Sequence, residues 1–193
     1  MIAVIDYGVG NLFSLTASLK YLGADVKVTG EKEEIEAADR IILPGVGAFE
    51  DAAAKLRATG LVDTIMKETA AGKPLLGICL GMQLLFEESH EYGVHKGLGL
   101  IKGKIASIDE DLKKAGIAGL KVPHIGWNSL QFEKDEPLFR YNKPGDYVYY
   151  VHSFYGTDCE ESIIATSEYG VTITGAVRSG KVYGTQFHPE KSG

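Results

Sequence analysis

The sequence predicts an α/β protein: an open mixed sheet, largely parallel, with helices on both faces. Three observations carry this reading. Through the first half, short apolar runs alternate with stretches of helical periodicity, the pattern of strands joined by crossover helices. The second half is richer in extended patterns, which makes the sheet mixed. No repeat, low-complexity tract or linker interrupts the 193 residues, so one domain over 1–193 accounts for the chain.

Each element has a local cause. Residues 2–5 form a short buried-strand run, and Leu12, Leu15, Leu19 and Leu22 then recur at helical spacing before Gly23 stops the helix. Residues 25–29 alternate like a strand, and 40–43 form an apolar strand ended by Pro44-Gly45. Helical patterns follow at 48–58 and 61–71. A fourth strand at 74–78 runs straight into a helical pattern over 80–88. Later, 100–108, 121–125 and 147–151 read as extended, and 171–177 and 181–187 flank a hairpin turn at Arg178-Ser179-Gly180. In such sheets reactive groups collect at the carboxyl edge, where strands end and helices begin.

Composition narrows the function. Hydrophobic residues make up 45% and charged residues 24%, which excludes a mainly disordered chain. A net charge of −6 argues against a nucleic-acid binder. Cys79 and Cys159 form no disulfide framework and suit a reducing compartment. Asp6 breaks the N-terminal apolar run before signal-peptide length, and the longest nearly apolar stretch, 75–86, contains Gln83 and falls short of the roughly 18 residues of a span. The expectation is a cytoplasmic protein that makes no contact with a membrane.

The sharpest local feature is Gly77-Ile-Cys-Leu-Gly81, between a predicted strand and a predicted helix. It is the thiol form of the G-x-S-x-G elbow. Its glycines permit a sharp turn that pushes the Cys79 side chain out at the sheet edge. There a helix N-terminus favours a thiolate, and the Leu80 amide would face a developing oxyanion. A lone cysteine is usually a packing residue, but the two glycines and the strand–helix context favour a nucleophile. Gln83 follows one turn later on the same face, the one polar side chain in an apolar run, placed either for a structural hydrogen bond or for contact with a polar substrate.

A thiol nucleophile needs a base. Among five histidines, His188 stands at a strand end in Gln186-Phe-His-Pro-Glu190. Pro189 keeps His188 extended, and in an extended segment Glu190 projects to the same side, where its carboxylate would orient the imidazole. The candidate triad is therefore Cys79, His188 and Glu190. Pro44-Gly-Val-Gly47 also follows a strand, and its exposed amides would form the other half of an oxyanion hole with Leu80. Other motifs fail. The third glycine of a dinucleotide loop would fall at Phe13, Gly72-Lys73 lacks a phosphate-loop glycine, and His90-Glu91 is followed by His95, one residue too far on for a zinc helix. No metal and no cofactor is expected.

With these residues placed, Gly77-Ile-Cys-Leu-Gly-Met-Gln83 and Gln186-Phe-His-Pro-Glu190 resemble the signatures of the triad (class I) glutamine amidotransferases. Asp6-Tyr-Gly-Val-Gly-Asn11, Pro44-Gly-Val-Gly-Ala-Phe49, Pro123-His-Ile-Gly-Trp-Asn128 and His152-Ser-Phe-Tyr155 are similar, more narrowly, to the glutaminase subunits of imidazole glycerol phosphate synthases. The resemblance spans the chain and implies a flavodoxin-like core. It implies hydrolysis of L-glutamine through a cysteinyl thioester, with oxyanion donors at Leu80 and the Val46–Gly47 segment, and with Gly45, Gly47, Gln83, Glu91, Ser153 and Phe154 at the substrate. It also implies a heterodimer with a (β/α)₈ cyclase subunit, contacted near Asn11, Trp127 and Lys191, which uses the ammonia to make imidazole glycerol phosphate and AICAR. The same family leads one to expect a glutaminase nearly silent until the cyclase binds its ligand, switched by the 44–47 loop. It continues past Glu190 into a terminal helix, where this sequence reads Lys191-Ser-Gly193. Other readings remain: a glutaminase for pyridoxal phosphate or anthranilate synthesis, another cysteine hydrolase, or an inert regulatory subunit.

Overall fold

The computed structural model describes residues 1–192. In chain order the elements are β1 (Ile2–Ile5), α1 (Leu12–Tyr21), β2 (Val26–Thr29), α2 (Lys32–Ala37), β3 (Arg40–Leu43), α3 (Phe49–Ala58), α4 (Val62–Ala70), β4 (Leu75–Ile78) and α5 (Leu80–Leu84). There follow β5 (Phe86–Ser89), β6 (His95–Lys96), β7 (Ile101–Ser107), α6 (Ile108–Lys114), β8 (His124–Ser129) and β9 (Gln131–Phe132). The last strands are β10 (Tyr147–His152), β11 (Phe154–Thr157), β12 (Ile163–Tyr169), β13 (Val171–Ser179) and β14 (Val182–Thr185), before a 3₁₀ turn over Pro189–Lys191.

The main sheet has eight strands in the order β2-β1-β3-β4-β14-β13-β12-β9. Pairing is parallel from β2 to β14 and antiparallel beyond. Side chains alternate across it. From β1, Ala3 and Ile5 join the large core with Ile35, Phe49 and Ile65, beneath α2, α3 and α4. Val4 points the other way and joins Leu15 of α1 with Ile42 and Ile78. A third core, around Tyr150, Ile173 and Phe187, fills the strand-rich half. Two smaller sheets flank the main one: β11-β7-β5-β6, and an antiparallel ribbon of β10 and β8.

The expected strands and hairpin of the main sheet are present, and β13 turns into β14 with Gly180 at φ 58°. Four expectations need correction. The helix expected over 80–88 stops at Leu84, and residues 86–89 form a strand instead. The Leu85 carbonyl there accepts the amides of Leu100 and Ile101, at 2.8 and 2.9 Å, so the chain is held by β7 and not by a continuing helix. The strand expected at 121–125 starts at His124 and runs to Ser129, because Pro123 has no amide hydrogen for a ladder. The apolar run at 100–108 gives way at Ser107, whose side chain caps α6 through the Glu110 amide. Leu22, assigned to the apolar face of the first helix, is exposed beyond its end.

Candidate active site

Three adjacent strands deliver the site. β4 leads to Cys79, its neighbour β3 leads to Pro44, and its other neighbour β14 leads to Gln186 and His188. Parallel strands pair about 4.8 Å apart, so the hydrogen-bonded lattice itself sets the spacing between these groups. The Cys79 amide is held by the Thr185 carbonyl at 2.7 Å.

Cys79 has φ 54° and ψ −112°, a conformation that costs an ordinary residue about 1–3 kcal/mol. The elbow glycines make it attainable. A β-carbon on Gly77 would lie 2.6 Å from the Gly81 carbonyl oxygen, and one on Gly81 would collide with the Leu43 carbonyl. The helix that follows has only five residues, so it offers Cys79 a few free amides and a small dipole.

His188 Nδ1 lies 2.9 Å from Glu190 Oε1 in a pair shielded from solvent on both sides. The geometry differs from the expectation: only His188 is extended, and Glu190 sits on the 3₁₀ turn that Pro189 begins, which curls the carboxylate back onto the ring. His188 Nε2 is buried with no hydrogen-bond partner of ordinary geometry, and Cys79 is its neighbour in the cleft. Burial disfavours the imidazolium, but Cys79 and Glu190 outweigh it and raise the His188 pKa to about 9.

These groups open into a cleft of about 320 Å³. Val46, Gly47, Leu80, Gln83, Glu91, Ser153 and Phe154 line it with Cys79 and His188. Gly45 does not. It is buried, and a β-carbon there would lie 2.7 Å from the Gly81 amide nitrogen, so it packs against the elbow. Glu91 has a second task, since its Oε2 accepts the Phe49 amide at 2.7 Å and caps α3, which has no cap of its own. Gln83 donates to the Phe154 carbonyl and to Gln186 Oε1, both at 3.0 Å. The 44–47 loop is tied at its start by the Tyr7 hydroxyl, which donates to the Pro44 carbonyl at 2.7 Å.

The residues expected at a partner face lie apart from the cleft floor. Asn11 caps α1 through the Ser14 amide. Trp127 is 60% exposed and meets Tyr149 edge to face across the ribbon, and Lys191 sits over the same Tyr149 ring. Sequence reasoning missed Tyr92 and His152, which also line the cleft, and Gln186 behind it. His152 and Gln186 lie inside quoted motifs, and their polarity in apolar surroundings was the available sign. Among the described residues no group of His, Cys, Asp and Glu could hold a metal ion, and no helix is long and apolar enough to cross a membrane.

An elbow cysteine and a buried His–Glu pair on one edge of an open α/β sheet form an arrangement suited to nucleophilic attack by a thiol. The family description "Glutamine amidotransferase class-I" matches residues 3–193. The chain is 51% identical over 193 residues to the imidazole glycerol phosphate synthase subunit HisH of Bacillus licheniformis, covering 100% of this chain and 90% of that one. It is 50% identical to the subunit of the same name from Geobacillus kaustophilus, again over 100% and 90%. Among solved structures, a glutamine amidotransferase superposes with a TM-score of 0.74 at 21% identity, covering 98% and 91%. The glutaminase domain of Trypanosoma brucei CTPS with bound acivicin superposes with 0.66 at 15% identity, covering 98% and 85%, a likeness of fold. The chain belongs to the class I glutamine amidotransferase family.

Proposed function

We propose that residues 1–193 work as one glutamine amidotransferase domain, the glutaminase subunit of an imidazole glycerol phosphate synthase. The observation that carries the chemistry is the convergence of Cys79 and the His188–Glu190 pair on one cleft. Identity of about half the residues with relatives named as that synthase's subunit supports the particular role.

The geometry suits the following course. The Cys79 thiol proton passes to His188, which Cys79 and Glu190 make a stronger base than a free imidazole. Cys79 Sγ attacks the carboxamide carbon, and the amides of Leu80 and the Val46–Gly47 segment hold the oxyanion. As the tetrahedral adduct collapses, the C–N bond breaks and His188 gives its proton to the departing ammonia, leaving a glutamyl thioester. His188, now neutral, takes a proton from water. The hydroxide displaces the thiolate, and glutamate leaves. Glu91 would meet the substrate ammonium through its free oxygen, and amides at Ser153–Phe154 its carboxylate.

The partner we propose is a (β/α)₈ cyclase subunit, seated on the side of Asn11, Trp127 and Lys191 and receiving the ammonia along a sheltered path. The test is glutamine hydrolysis by wild type and Cys79→Ala, each alone and with a cyclase subunit and its ligand. Hydrolysis that rises with the cyclase and disappears in Cys79→Ala is expected. Hydrolysis that survives the substitution overturns the reading.

A further inference from the structure

One backbone carbonyl dictates the direction of a hydrogen-bond chain that ends on the reactive sulfur. The Phe154 carbonyl can only accept. It takes Gln83 Nε2 at 3.0 Å and His152 Nδ1 at 2.8 Å, so both of those atoms carry hydrogens. The consequences run in two directions.

Toward the sulfur, Gln83 Nε2 also lies 3.0 Å from Gln186. A donor faces it, so the Gln186 atom there must be the oxygen, and the Gln186 NH₂ is turned the other way. That NH₂ lies 3.7 Å from Cys79 Sγ. Gln186 is fully buried, so no water competes for either end of its amide. Toward the ribbon, a hydrogen on His152 Nδ1 leaves Nε2 bare in the neutral ring, and burial holds that ring neutral by lowering its pKa to about 3. The bare Nε2 accepts from His124 Nδ1 at 3.0 Å. His124 Nε2 then accepts from Asn128 Nδ2 at 3.3 Å, whose other hydrogen goes to the Glu168 carbonyl. One acceptor thus settles two imidazole tautomers and three amide orientations.

We propose that Gln186 is a further catalytic residue: its amide donates to Cys79 Sγ, stabilises the thiolate before attack and after thioester hydrolysis, and is aimed there by Gln83 and the Phe154 carbonyl. This rests on the reading of Cys79 as nucleophile. The titratable groups facing the sulfur are His188, with Glu190 behind it, and Tyr7, while Glu91 lines the same cleft. Among the groups near the sulfur, Gln186 offers a donor that keeps its form from pH 5 to 10, so its removal shifts the thiolate population without adding a titration.

The test is alkylation of the isolated chain by iodoacetamide from pH 5 to 10, followed on the Cys79 peptide so that Cys159 does not interfere. Gln186→Met keeps the volume and loses the donor. Its alkylation midpoint is expected to rise by about one pH unit, with about tenfold slower alkylation at pH 7. Gln83→Met frees the Gln186 amide to turn and is expected to move the midpoint the same way by less. A merely structural disturbance would change the plateau rate at high pH and leave the midpoint. If Gln186→Met does not fold, Gln186→Leu reads the same bond. A midpoint equal to that of wild type in whichever Gln186 variant folds overturns the inference. If fully alkylated wild type still hydrolyses glutamine, the assignment of Cys79 falls and the inference falls with it. If alkylation abolishes hydrolysis but the Gln186 variants titrate as wild type, the inference alone falls.

Discussion

At the residue scale, the His188–Glu190 pair sets the pH range of the chemistry. His188 has its pKa raised from 6.5 to about 9. A raised pKa in the folded state means that folding is favoured by protonation. The stabilisation is fully present below pH 6.5 and is lost as pH rises through 9. Denaturant titrations of wild type should therefore show stability falling across that window. In Glu190→Gln the carboxylate is gone and the fall should be shallower and lie at lower pH. The basic limb of kcat/KM should move with it, from near 9 downward by about one unit, since the imidazolium that protonates ammonia is then lost earlier. A basic limb left in place by the substitution would show that Glu190 does not hold the imidazolium.

At the element scale, the elbow is held by close backbone approach. A β-carbon on Gly81 would meet the Leu43 carbonyl, and both groups are backbone of adjacent elements that cannot yield separately. Gly81→Ala should cost about 3 kcal/mol in urea unfolding, the upper range for overpacking, and should lower activity as Cys79 shifts. This element was legible in the sequence because the glycine spacing and the strand–helix context speak locally. The His188–Glu190 contact was also legible, though for another reason than the one that holds: Pro189 starts a turn and does not prolong the strand. The failures share a cause. The strand over Phe86–Ser89 follows an apolar helical pattern, and only its pairing with β6 and β7, which come later in the chain, overrules it. The packing of Gly45 on the elbow and the hold of Glu91 on α3 were hidden for the same reason, since what each touches, the Gly81 amide and the Phe49 amide, comes from another part of the chain.

At the scale of the whole molecule, the β8–β10 ribbon joins the cleft to the surface proposed for the cyclase. Its outward side carries Ile125, Trp127 and Tyr147, all largely exposed, and exposed aromatics of this kind anchor interfaces. Trp127→Ala should weaken association with a cyclase subunit at least about tenfold, read by titration calorimetry, while leaving Cys79 alkylation in the isolated chain as it is in wild type. Undiminished association would move the docking face elsewhere. The ribbon's inward side carries His124 opposite His152, and the same register sets Trp127 opposite Tyr149. A slip by one position would exchange the two sides, hiding the grip and wetting the imidazoles. Attachment to a neighbour and the sheltering of the paired imidazoles are therefore inherited from a single alignment of two strands, and neither can be tuned by sliding that alignment without forfeiting the other.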